Sequence, residues 1–435
     1  MTTPICDFVN KYSASSPVRL HMPGHKGACL TGPEAFDITE IDGADDLFHP
    51  AGIIKESEEN ASCIFDSHTF YSCEGSSLSI RGMLYLARTY SESSVILASR
   101  NAHKVFLTAC GLLDMDIKWI HSESNSLLFQ PVTPKSVKEA LNSLDEPPCA
   151  VYITSPDYLG GIADICGIAQ VCKRYNVPLL VDNAHGAYLN FLGMHPIKLG
   201  ADMCADSAHK TLPCLTGASY LHVSKNAPEY FFKNAKNALS VFASTSPSYL
   251  ILQSLDKANE YLESLDLSAF AKSCDELKSK LISLGFELYG DEPLKITVCT
   301  KFYGYLATEV QDYLKEHNIF AEFADKDFLV LMLSPFNDDI HMDALYEALK
   351  KLPARPAINE KPFDIIPCER VLSVREALFK PCEVISVSDS LGRICAVPAV
   401  SCPPAIPIVC SGERISQNAI DAFKYYGIER ISVIK

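Results

Sequence analysis

Four short runs rich in apolar and β-branched residues, VILAS (95–99), CAVYIT (149–154), VPLLVDNA (177–184) and ADMCAD (201–206), alternate with helical stretches such as SSLSIRGMLYLARTY and IADICGIAQVCKRY. This rhythm admits few architectures. Strands separated by helices lie parallel and are covered on both faces, which predicts an α/β fold with a mostly parallel central sheet. At 435 residues the chain exceeds a single core, so two or three domains are expected. The segment 1–60 reads as an N-terminal arm with a short helix-like start, and 61–250 as the large domain. Residues 251–355 read as a smaller α/β domain, with a long amphipathic helical region and the strand-like LKITVCTKF and FLVLMLSPF. The Pro-rich LPARPAINEKPFDIIP (352–367) reads as a linker into a short C-terminal domain, 356–435.

Composition narrows the function. A formal net charge of −15 without a basic patch argues against nucleic acid and favours a cationic small molecule. The 17 cysteines are scattered, with no C-x-x-C pair and no signal-like start, which fits reduced thiols in a cytoplasm. No apolar run of about 18 residues suggests a membrane span. The histidines show no H-E-x-x-H or comparable spacing, so no metal is expected.

The chemistry concentrates at strand ends, where ligands sit in open α/β sheets. VPLLVDNA ends in Asp182, and ADMCAD runs into SAHKTLP, which presents Lys210. An amine in a partly desolvated pocket is available to form an imine with an aldehyde, the chemistry of a pyridoxal phosphate lysine, whose ring nitrogen pairs with an acid. A solvated surface lysine or an N-cap aspartate would explain either residue alone; together they point to one pocket. GSSLSIRGMLYLA offers Gly75, Ser76 and Ser77 at a helix start, which suits a phosphate or a plain capping box. Ser207 and His209 flank the lysine as further donors.

Eight motifs run the length of the chain: HMPGHKG, DITEIDGADDLFHPAGIIKES, RNAHK, SPDYLGG, DNAHGAY, SAHKTLP, STSPSY and CPPAIPIVCSGE. In this ordered set the chain resembles the bacterial Orn/Lys/Arg decarboxylases, pyridoxal phosphate enzymes of aminotransferase-like fold type I with a distinctive C-terminal domain, and among them the shorter members that lack an N-terminal receiver-like domain. The resemblance implies decarboxylation of lysine, ornithine or arginine to an amine and CO₂, in polyamine or diamine metabolism. It implies that Lys210 holds the cofactor, Asp182 pairs with the ring nitrogen and His103 stacks on the ring. It assigns the phosphate to Ser76, Ser77, Ser207 and His209, and the other ring face to Ala184 and His185. Thr245 and Ser246 would reach the phosphate from a neighbouring subunit, so a homodimer with shared sites is expected. Glu413, Asp45 and Asp46 are candidate acids for a cationic side chain.

The sequence also departs from the family pattern. Asn183 stands where the family usually has an acid, Tyr188 where DEAHGAH ends in His, and Glu74 opens a phosphate turn that is commonly NGTS. Asp157 lies in SPDYLGG in place of SPTYxG, and SAHK replaces STHK. Two other readings remain open: a different pyridoxal phosphate reaction on this fold, such as transamination or elimination, and a binding or regulatory homologue weakened at Glu74, Asp157 and Asn183.

Overall fold

The computed structural model describes residues 1–121, 132–401 and 406–435, so 402–405 of the CPPAIPIVCSGE motif lie outside the described residues. The chain divides into two compact units: 1–97, 141–153 and 165–266 in the first, and 98–140, 154–164 and 267–435 in the second. From the N-terminus come α1 (Pro4–Ala14), α2 (Ile53–Phe65), β1 (Ser67–Ser72), α3 (Gly75–Tyr90), β2 (Val95–Ala98), α4 (Lys104–Leu112), β3 (Asp116–Trp119), α5 (Pro134–Asn142) and β4 (Ala150–Thr154). Then follow α6 (Ile165–Tyr175), β5 (Leu179–Asp182), β6 (Met203–Asp206), α7 (Ala208–Thr211), β7 (Ser219–Ser224), α8 (Glu229–Ser240) and α9 (Tyr249–Leu262).

In the first unit the strands lie in the order β1-β7-β6-β5-β4-β2. The four runs singled out in the sequence form β2, β4, β5 and β6. β5 and β6 are parallel, with Asp182 opposite Ala205. β7 runs antiparallel to both neighbours, β1 and β6. The fold is thus α/β with a mostly parallel central sheet. β5 is buried along its whole length, as its unbroken apolar run requires of a strand covered on both faces. β1 and β7 are half polar yet buried, because their polar side chains find one another: Ser79 on α3 meets Ser219 at 2.9 Å, and Thr69 meets His222 at 2.9 Å. Phe65, fully buried at the end of α2, packs its ring against His222 and Tyr220 at centroid distances of 4.5 and 5.2 Å.

The second unit continues with α10 (Ser268–Ser283), β8 (Glu287–Tyr289), β9 (Lys295–Cys299), α11 (Ala307–Glu316), β10 (Phe323–Ala324), β11 (Phe328–Met332) and α12 (Asp339–Lys351). These strands form an antiparallel sheet ordered β10-β11-β9-β8. Leu277, Leu281, Ile296, Val298, Leu329 and Leu349 make its core with the helices. The Pro-rich stretch after α12 is irregular, as its prolines dictate, but Ile365 is fully buried in the next core and anchors it. That core joins Ile408, Val409, Phe423 and Val433. Around it lie α13 (Val374–Leu378), β12 (Cys382–Ser386), β13 (Ala399–Ser401), β14 (Pro407–Cys410), α14 (Gln417–Tyr425) and β15 (Arg430–Ile434).

Candidate active site

Asp182 is the last residue of β5 and is 2% exposed. Its Oδ2 accepts a hydrogen bond from the Tyr152 hydroxyl on β4 at 2.9 Å, and its Oδ1 accepts from the Ala184 amide at 3.2 Å. Because side chains alternate across a strand, Asp182 shares a face with its partner Ala205, whereas Asn183 and Asp206 fall to the opposite face. The turn after Asp182 carries His185, which is buried. Its Nε2 lies 3.0 Å from Lys210 Nζ. Lys210 itself is exposed rather than partly desolvated, because it stands on α7, a single turn of helix launched from the rim of the sheet just past β6.

The same rim assembles an anion site. α3 is a 16-residue helix whose N-cap, Glu74, makes no side-chain cap hydrogen bond, so the amides of its first turn lack a side-chain cap. Gly75 opens the helix at φ +68 with open space where a Cβ would be. Ser76 and Ser77 follow, and the Ser207 hydroxyl donates to Ser76 Oγ at 2.7 Å, tying the start of α3 to the lysine turn. His209 uses Nδ1 to donate to the Ala218 carbonyl at 2.9 Å. Glu74, the unexpected acid here, accepts the Ser244 amide at 2.7 Å, so its carboxylate holds the 244–246 segment, on which Thr245 and Ser246 are exposed. An amine, a buried carboxylate on the neighbouring strand and an uncapped helix start with two serines fit the aldehyde, ring nitrogen and phosphate of pyridoxal phosphate. A cavity of about 930 Å³ lined by Lys173, Pro178, Lys198 and Asp202 opens at the other ends of β5 and β6, away from this chemistry.

The remaining candidates have other engagements. Asp45 accepts the amides of Ala51, Gly52, Ile54 and Lys55, which caps the start of α2. Burial works against its charge, but these amides hold the carboxyl below the usual range. Asp46 accepts the amides of Phe48 and His49. In the second unit His103 caps α4, its Nδ1 accepting the Val105 amide at 3.3 Å, and its side chain is exposed. Glu413 is buried in a two-pronged ion pair with Arg100, at 2.5 and 2.8 Å, and its Oε2 also accepts the Cys410 amide. Asp157 accepts the amides of Leu159 and Gly161 and so shapes its own turn. Tyr188 is buried in the core of the first unit. Tyr152 and Asp206 escaped the sequence reading: one is a middle strand residue among apolar neighbours, and the other resembles any acid at a strand end.

Residues 3–281 match the family described as Orn/Lys/Arg decarboxylase, major domain, and residues 370–430 match its C-terminal domain. An arginine decarboxylase of Halalkalibacterium halodurans is 30% identical over 96% of this chain and 91% of its own. The lysine decarboxylase of Francisella novicida has a similar structure, with a TM-score of 0.81 at 18% identity, covering all of this chain and 81% of that one. A cysteine desulfurase from Thermococcus onnurineus matches more loosely, with a TM-score of 0.57 at 13% identity over 81% of this chain and 91% of its own. Matched in both the major and the C-terminal domain, and nearly end to end by a relative, the chain belongs to the Orn/Lys/Arg decarboxylase family.

Proposed function

We propose that the protein removes the α-carboxylate of a basic L-amino acid, arginine before lysine or ornithine, to give the amine and CO₂ with pyridoxal 5'-phosphate. The observation that supports this most directly is the convergence of Lys210, His185 and Asp182 at the ends of adjacent parallel strands, beside the uncapped start of α3. Arginine is placed first because the relative matched almost end to end is named an arginine decarboxylase. The net charge of −15 favours a cationic substrate.

When bound, the cofactor supplies an aldehyde for amines and a cationic ring that takes up the electron pair released as CO₂ leaves. Lys210 is the amine that holds it, and His185, 3.0 Å away, accepts a proton from Lys210 and orients it. Asp182, held by the Tyr152 hydroxyl, would pair with the ring nitrogen and favour its protonated form. Ser76, Ser77, Ser207 and His209 would bind the phosphate, and His103 and Ala184 are the residues we propose would hold the ring. Thr245 and Ser246 complete the phosphate site of a neighbouring copy, so the working unit is a homodimer or an assembly of dimers. Among the described residues no helix is long and apolar enough to cross a membrane; we place the enzyme in the cytoplasm, in polyamine or diamine synthesis.

Incubating the purified protein with pyridoxal phosphate and each of arginine, lysine and ornithine decides the matter. Agmatine and CO₂ from arginine, ahead of any product from the other two, is the expected result. A keto acid product, or cofactor binding without CO₂ from any of the three, would refute it.

A further inference from the structure

On the face of the sheet opposite Asp182 lies a buried cluster that the reaction described above does not use. Asp206 is fully buried. Its Oδ2 lies 2.9 Å from His195 Nε2 and 3.3 Å from His222 Nε2. Its Oδ1 accepts from the Asn183 amide group at 2.7 Å and from the Cys204 thiol at 3.2 Å. A surrounding hydrogen bond assigns the His195 proton. The Ile197 amide donates to His195 Nδ1 at 3.4 Å, which leaves that ring's proton on Nε2, facing the carboxylate. His222 Nδ1 lies 2.9 Å from Thr69 Oγ1 and 3.3 Å from Ser67 Oγ, hydroxyls that can donate to it or accept from it. His195 Nε2, the Asn183 amide group and the Cys204 thiol thus converge on one buried carboxylate, with His222 Nε2 close by. Burial works to raise the Asp206 carboxyl, but the two imidazoles outweigh it and hold the group well below the usual range.

We propose that Asp206 is a positioning residue of the active site: through Asn183 it locks the turn bearing Asp182 and His185 to the strand end that launches Lys210, and it sets a second buried negative charge behind Asp182. This rests on the cofactor reading of Lys210 and Asp182. Asn183 is bonded to β6 twice, by its side chain to Asp206 and by its backbone amide to the Ala205 carbonyl at 3.0 Å. It directly follows Asp182, and Asp206 directly precedes Ser207 of the lysine turn, so this one link joins both halves of the site. It also accounts for the amide at position 183. With Asp206 in place, an acid there would bring two carboxylate oxygens to about hydrogen-bond distance in a fully buried site. His195, Asp206 and His222 also have ligand atoms within 4.8 Å of one another, a set that zinc accepts. The amide proton on His195 Nδ1 argues for a protonated Nε2 and against a metal.

The test uses the cofactor-loaded wild type, Asp206→Asn, Asn183→Asp and the double variant Asn183→Asp/Asp206→Asn. The readouts are the pH midpoint of the cofactor's visible absorbance, metal content, and thermal unfolding of the cofactor-free proteins. Losing the charge in Asp206→Asn should lower the midpoint by about one pH unit, because a nearby anion favours the protonated lysine linkage. The double variant puts the charge back across the same hydrogen bond and should restore the midpoint. In cofactor-free protein Asn183→Asp should unfold at the lowest temperature, with the double variant near wild type. Three results would overturn the proposal: a midpoint indifferent to position 206, a double variant no better than its parents, or stoichiometric zinc in the wild type that Asp206→Asn loses. A wild type with no visible band would instead bring down the cofactor reading itself, and this proposal with it.

Discussion

The Tyr152 hydroxyl and the Asp182 carboxylate form a buried hydrogen bond to a charged group, of the kind that contributes about 1.5–3 kcal/mol. Tyr152→Phe keeps the ring and its packing and removes only that donor. It should lower the turnover number roughly tenfold or more and the melting temperature by only a few degrees, which steady-state kinetics and a thermal melt will check. Asp325 poses a stability question in the second unit. Its Oδ1 accepts the amides of Asp327 and Phe328, but its Oδ2 is buried with no hydrogen-bond partner among the described residues. Burial pushes the carboxyl up to about 6 from an ordinary 3.8. The folded protein therefore binds this proton more tightly than the unfolded chain, so the group costs stability as pH rises from about 4 through 6, and the cost is fully felt above that. Asp325→Asn should raise stability by roughly 2–3 kcal/mol at pH 8 and by almost nothing at pH 4, as read by urea denaturation at both values. At this scale the sequence placed Asp182 at a strand end, Lys210 and Ser207 just past the next strand and Ser76 at a helix start, and the structure has them there. It did not disclose how acids are used: Asp45 and Glu413 looked available for a cationic substrate, and their oxygens serve backbone amides and Arg100.

Arg100 and Glu413 tie the segment before α4 to the loop after β14 within the second unit, with the guanidinium 4.9 Å from the Trp119 ring centre. Both side chains are almost fully buried, and breaking such a pair on one side strands a charge, at about 3–5 kcal/mol. Glu413→Ala should therefore destabilise the protein more than the double change Arg100→Met/Glu413→Leu, which leaves no charge behind. Chemical denaturation of the three proteins checks the order. No sequence rule pairs residues 313 positions apart. Elements with one strong period were legible: β2, β4, β5 and β6 from their apolar runs, and α3 from its helical spacing. β1 and β7 were not, since SHTFYS and SYLHVS mix serine and histidine with apolar residues, and their burial depends on partners such as Ser79 and Thr69 that only the folded sheet supplies.

For the whole molecule, the proposed sharing of sites between copies has a direct consequence. In a dimer of Lys210→Ala with Thr245→Ala/Ser246→Ala, one site collects every lesion and the other none. Coexpressing two inactive variants should therefore recover about a quarter of wild-type activity if copies mix at random. No recovery would confine Thr245 and Ser246 to their own chain. The fold class was legible at this scale because alternating strands and helices leave few layered solutions. The division of the chain into two units was not, because 98–140 and 154–164 cluster with the C-terminal half through contacts that no local pattern records. The central claim is that Lys210 holds the cofactor on which decarboxylation depends. The most direct measurement is the visible spectrum and CO₂ release of Lys210→Ala beside wild type, both reconstituted with pyridoxal phosphate and given arginine. The account predicts that the variant loses the lysine-linked band and that CO₂ release falls by several orders of magnitude; an unaltered spectrum with full activity would contradict it.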